Sequence, residues 1–62
     1  MHDRLMRVVE VERLTGLSRS TLYRRIRGEG FPAPIDVGGR SVRWSQAAVL
    51  TWIEGRKESG RE

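Results

Sequence analysis

The sequence predicts a mainly helical fold with a small β-hairpin, a winged helix-turn-helix, and three features carry that prediction. A glycine-centred break, Thr15-Gly16-Leu17-Ser18, separates two short stretches whose apolar residues recur at helical spacing. Two prolines, Pro32 and Pro34, then forbid a helix and force an extended strap. Beyond them Ile35 to Trp44 reads as two strands around Gly38-Gly39, and a last helical segment starts at Ser45.

The opening segment, His2 to Arg7, is polar and lacks a period. It is expected to be a frayed end or a short extended lead-in, with Leu5 or Met6 covering the core. His2 has no His, Cys or paired carboxylate at ligand spacing, so no metal site is expected there. Val8 to Thr15 places Val8, Val11 and Leu14 three apart on one stripe, with Glu10, Glu12 and Arg13 toward water. A helix of about two turns does not persist alone, so its expected role is to brace the next one.

Gly16 adopts positive φ at no steric cost and suits the turn between the helices. Leu17 plugs the core, and Ser18 is a strong N-cap whose hydroxyl satisfies an orphan N–H. From Arg19 to Arg27 the chain is expected to be helical, with Leu22 and Ile26 on the inner face. At about 100° per residue, Ser20, Arg24 and Arg27 point away from that stripe, Arg19 sits at the exposed end, and Tyr23 lies on the edge. Arg25 points nearer the core side and is expected against the wing, with Glu29 available to answer it. Arg24 has no acidic residue four positions away on either side, unlike a helix face built only for stability.

Gly28 and Gly30 end the helical pattern, and Phe31 reads as a core anchor rather than a ligand contact. In the hairpin, Ile35 and Val37 lead in, Gly38-Gly39 form the tight turn, and Val42 and Trp44 alternate on the way out. Arg40 stands at the tip, and Ser41 and Arg43 are expected to be exposed on the face opposite Val42 and Trp44. A phosphate-cradling loop is excluded, because neither a helix start nor Lys-Ser/Thr follows at the required spacing. Ser45 caps a helix from Gln46 to about Lys57, but Ala48 stands where a capping box has an acidic residue, so the cap is expected to be partial. Val49, Trp52, Ile53 and the stem of Arg56 share one face, with Ala48 filling a gap. Trp44 and Trp52 could stack single-stranded bases, but their positions on apolar faces make them core residues. Glu54-Gly55-Arg56 weakens the helix end, and Glu58 to Glu62 is expected to fray.

A chain of 62 residues is one small domain, expected to span 1–62 with an ordered core of about 7–57. It has no room for a deep pocket and a catalytic scaffold, and it holds one His, no Cys and no paired carboxylates. No enzyme, catalytic residue, cofactor or metal is therefore expected. The lack of cysteine fits a reducing compartment. No apolar run approaches the roughly 18 residues of a membrane span and MHDRLMR lacks a signal-peptide core, so a cytoplasmic, nucleoid-associated location is expected.

The formal net charge is +4, and it is unevenly placed. Residues 1–12 sum to −1, residues 13–43 to +5, and residues 44–62 to zero. A basic centre of this kind fits a polyanion partner, with an ordinary charged surface as the plainer alternative. Eleven of the twelve basic residues are Arg, the side chain that bridges guanine O6 and N7 in bidentate fashion. Arg19, Ser20 and Arg24 are thus candidates for base edges in the major groove of double-stranded DNA. Ser18, Thr21 and Tyr23 carry hydroxyls at the flanks, where phosphates would lie, and Arg27 reaches another phosphate. Arg40 enters the minor groove or clamps the backbone, with Arg43 in support. Two rivals remain: an adaptor docking an integrase or RNA polymerase through the same basic face, and a binder of single strands. No long heptad helix is present, so a free monomer, cooperative on adjacent sites, is expected.

Three segments together resemble a known family: TGLSRSTLYRRI at 15–26, FPAPIDVGGRSVRW at 31–44, and the Ser45 helix ending in TWIEG. They are similar to the AlpA-like phage and prophage regulators, relatives of small excisionases with a MerR-like winged fold, over residues 7–54. The resemblance implies a sequence-specific DNA binder. Such proteins activate transcription of an integrase gene, act as excisionases (recombination directionality factors) that shape the attachment site, or do both. It assigns Arg19, Ser20, Tyr23 and Arg24 to a recognition helix spanning 19–27, and Arg40 to a wing spanning 37–44. Two residues depart from the pattern: Arg25 stands where such helices often carry an apolar side chain, and Val9 where a polar helix-starting residue is usual.

Overall fold

A computed structural model describes residues 3–60 of the chain; the reading of His2 and of the last two residues falls outside them. The elements run β1 (Leu5–Met6), α1 (Val8–Thr15), α2 (Arg19–Gly28), β2 (Ile35–Gly38), β3 (Ser41–Ser45) and α3 (Gln46–Gly60). This is the mainly helical architecture with a hairpin that the sequence predicts. The lead-in is more than an extended tail, because Leu5 and Met6 pair antiparallel with Ser45 and Trp44 and turn the hairpin into a three-stranded sheet of order β1-β3-β2. Met6 is buried while Leu5 is exposed, as period-two alternation requires.

Local chemistry fixes the turn between α1 and α2. Gly16 takes φ 75° and its N–H donates to the Glu12 carbonyl at 2.7 Å, closing α1. Thr15 Oγ1 donates to the Val11 carbonyl and accepts from the Leu17 N–H, at 2.8 and 3.2 Å. Ser18 then starts α2 as its N-cap, its Oγ accepting from the Thr21 N–H at 3.3 Å. α1 begins at Val8, so Val9 falls in its first turn and is exposed. Glu10 accepts from the Arg7 N–H at 2.9 Å, an orphan donor at the helix start, and pairs with Arg4 at 2.6 Å. The Arg7 N–H, helped by Arg4, holds the Glu10 carboxyl below its ordinary pKa.

The core is Met6, Val11, Leu22, Phe31, Trp44 and Val49, one or more from nearly every element. Trp44 is its centre: fully buried, with its indole N–H donating to the Pro32 carbonyl at 3.0 Å, so the proline strap is tied to β3. Phe31 is buried under that strap and meets Trp52 edge-on at 4.9 Å. The expected apolar stripe of α1 is only partly realised: Val11 is buried and Val8 packs on the core, but Leu14 remains 43% exposed. Leu14 instead lines an open cleft with Leu17, Trp52 and Ile53.

Two further expectations are corrected. The two-residue turn of the hairpin is Gly39-Arg40, with φ 59° and 64°, not Gly38-Gly39. Gly38, at φ 94°, instead pairs with Ser41 beside a bulge that leaves Val37 without a cross-strand partner. The cap of α3 is also complete rather than partial. Asp3, from the far end of the chain, bonds the Ser45 hydroxyl and accepts from the Ala47 N–H at 3.0 Å. Ser45 Oγ accepts from the Ala48 N–H and the Arg4 carbonyl from the Gln46 N–H, at 3.0 and 2.8 Å. Ser45 and then Ala47 lower the Asp3 pKa. So anchored, α3 continues through Gly55 to Gly60, beyond the expected end near Lys57.

Candidate nucleic-acid interface

α2 sorts its residues by angle around its axis. Leu22 is fully buried and Ile26 packs on the core, while Arg19, Ser20, Arg24 and Arg27 are all exposed, as the periodicity predicts. Among the described residues, no carboxylate pairs with Arg19, Arg24, Arg27 or Arg40; the ion pairs are Arg4–Glu10, Arg25–Glu29 and Glu54–Lys57. Four guanidinium groups thus stand in water without an internal anion.

The flanking hydroxyls are in different states. Ser18 is exposed, but its Oγ donates to Thr21 Oγ1 at 3.0 Å while accepting from the Thr21 N–H, so its hydrogen is committed to the cap. Ser20 Oγ lies 3.4 Å from Ser18 Oγ. Tyr23 is half-buried and meets Trp44 edge-on at 6.0 Å, which ties the edge of α2 to the strand that carries the wing. The Arg19 guanidinium lies 5.9 Å from the centre of the Tyr23 ring, a cation–π contact that limits where Arg19 can point.

Arg25 does not lie against the wing. It turns toward α3, bonds Glu29 at 2.9 Å, and lines a cleft with Trp52 and Ile53. In the wing, Arg40 is exposed at the turn, but Arg43 and Ser41 are half-buried rather than exposed. Arg43 faces Ile35 across the strand pair and folds its Nη1 back onto the Val42 carbonyl at 2.8 Å. An Arg inside a ladder, one residue from the buried Trp44, lays its stem along the sheet, which alternation alone does not reveal. Arg40 carries a positive φ of 64°, a conformation that costs an L side chain about 1 kcal/mol or more and that glycine adopts freely.

The described residues hold no group of three or more His, Asp or Glu side chains suited to a metal ion, and no helix long and apolar enough to cross a membrane. Two open clefts are present, one lined by Leu14, Leu17, Trp52 and Ile53 with Arg25, Arg56 and Lys57, the other by Met6 and Leu14 with Arg4, Glu10 and Arg13.

Residues 4–57 match the family model described as prophage CP4-57 regulatory protein (AlpA). The chain is 46% identical over 54 residues to the uncharacterized protein ORF88 of Enterobacteria phage P4. That alignment covers 87% of this chain and 61% of the phage protein, so the chain spans under two thirds of its relative's length. No solved structure matches. The matched region runs from Arg4, just before β1, through α1, α2 and the wing, to Lys57 within α3. The chain belongs to the AlpA family of prophage regulatory proteins.

Proposed function

With that membership as premise, we propose that the chain is a sequence-specific binder of double-stranded DNA acting as a prophage-type transcriptional regulator, an excisionase, or both. The observation that carries this reading is the split of α2: four exposed polar side chains on one side, three of them arginines free of internal carboxylates, and Leu22 wholly buried on the other. A helix of this kind fits the major groove, where Arg19 and Arg24 would bridge guanine O6 and N7 and Ser20 would read a neighbouring edge. The N–H groups at the start of α2, with Thr21, Tyr23 and Arg27, would hold phosphates and set the register. Ser18 would act mainly by fixing that helix start.

Arg40 supports the reading from the wing. A side chain kept at a turn position that glycine fills more cheaply suggests a task outside the fold, and contact with the backbone or minor groove is such a task. Arg43, half-buried, would brace the wing beneath it. The protein would need no cofactor, act as a monomer in solution and bind adjacent sites cooperatively in the cytoplasm, with an integrase or RNA polymerase as its protein partner.

Binding to a duplex, measured against salt, tests the proposal. Five or six phosphate contacts predict that log affinity falls against log salt with a slope of about −4 to −6. A flat salt response, or equal affinity for every duplex, contradicts it. An adaptor using the same basic face would keep its duplex affinity after charge reversal at Arg24 and lose its protein partner instead.

A further inference from the structure

Where α1 turns into α2, the chain leaves an open cleft of about 360 Å³ against the C-terminal half of α3. Its floor is apolar: Leu14 and Leu17 on one side, Trp52 and Ile53 on the other. Leu14 is the end of the α1 stripe that found no wall in the core, and it stands 43% exposed here. The charged side chains of the rim are Arg25, Arg56 and Lys57, beside Thr15, and among the described residues no carboxylate lines the cleft. Glu29 and Glu54 meet Arg25 and Lys57 at 2.9 and 3.4 Å without lining it. Arg25 is only partly satisfied by Glu29, because its Nε is enclosed with no hydrogen-bond acceptor. Arg56 holds its guanidinium 5.4 Å from the centre of the Trp52 ring, so this cation stands beside the apolar floor.

From this juxtaposition we infer that the cleft is a docking site for an acidic amphipathic segment of a partner protein, one presenting large apolar side chains flanked by carboxylates. Charge complementarity selects the flanks, and the Leu-Trp-Ile floor selects the anchor. Nucleic acid would use the rim but gain nothing from the floor. Arg25 lies about 100° around α2 from Arg24, so an occupant of the cleft leaves the outward arginines uncovered. The inference stands whether or not those arginines contact DNA.

The test uses the full chain and a short fluorescein-labelled peptide of Glu and Leu, with Leu at helical spacing. Controls are a scrambled peptide of the same composition and one with every Leu replaced by Ser. Anisotropy reports affinity, and amide chemical shifts report the site. The expected result is binding of the first peptide alone, with shifts at Leu14, Leu17 and Ile53. The double variant Arg56→Glu, Lys57→Glu gives up the Arg56–Trp52 contact and the Glu54–Lys57 pair, so its folding is checked by urea denaturation; it should bind about 5- to 10-fold more weakly. Leu14→Ser should weaken binding as a second, uncharged probe. No binding, equal binding of the Ser peptide, or shifts gathered on Arg19, Arg24 and Arg40 would overturn the inference, as would variants that bind like the parent.

Discussion

Arg24 is exposed on α2 with no carboxylate partner among the described residues, whereas Arg25, one residue on, turns toward α3 and bonds Glu29 at 2.9 Å. The two side chains are chemically identical, and a single helical step of about 100° separates their surroundings. Leu22 and Ile26 fix the rotation of the helix, because their burial turns one side of α2 inward. What each arginine can do follows from that rotation rather than from its charge. Arg24 is available to an external anion; Arg25 contributes to the fold and to the cleft below it.

The largest expected effect breaks both circumstances together. Trp44→Ala removes the buried ring that touches Tyr23 and leaves the Pro32 carbonyl without its donor. A loss of about 3–5 kcal/mol is expected, most of the stability of so short a chain. Urea denaturation should then show no cooperative transition, and the differing roles of Arg24 and Arg25 should vanish with the fold.

Separating the two arginines sharpens the comparison. Arg24→Ala should leave the urea midpoint almost unchanged, within about 0.5 kcal/mol, yet weaken duplex binding by about 5- to 150-fold. Arg25→Ala should do the reverse: about 0.5–1 kcal/mol lost from the ion pair and the packed stem, with a smaller change in duplex affinity. Equal effects of the two substitutions on binding would mean that general charge, not helix rotation, governs the interaction.

The smallest effect concerns the caps that hold the scaffold still. Asp3 and Glu10 bind protons less tightly in the folded chain than in the unfolded one, through the Ser45 hydroxyl and the Arg7 N–H respectively. Above their unfolded values, about pH 4 to 4.5, both contribute fully. As the pH falls through the lowered folded values, the unfolded state has already taken up its protons and that stability is lost. Thermal melts of the parent should therefore decline below about pH 4.5, and Asp3→Asn should show a shallower decline.

Much of this was legible in the sequence because it depends on short-range periodicity. Leu22 and Ile26 set one face, Gly16 and Ser18 set the turn, and the outward row of Ser20, Arg24 and Arg27 followed. Long-range contacts were not legible. Asp3 caps α3 from 42 residues before Ser45, and no spacing rule links them. The turn at Gly39-Arg40 depends on a bulge at Val37, which shifts the strand pair by one residue and looks the same in sequence as a Gly-Gly turn. Leu14 fits its stripe but is left on an open cleft facing α3, because its burial depends on how α1 and α3 pack and not on spacing within α1.

The central proposal is that the rotation of α2 makes Arg24 a reader of base sequence. Selection of bound duplexes from random DNA, run in parallel with the parent and Arg24→Ala, tests it most directly. One recovered motif is expected with the parent, and the same motif relaxed at a single base pair with the variant. An unchanged motif from Arg24→Ala, or no motif from the parent, would contradict it.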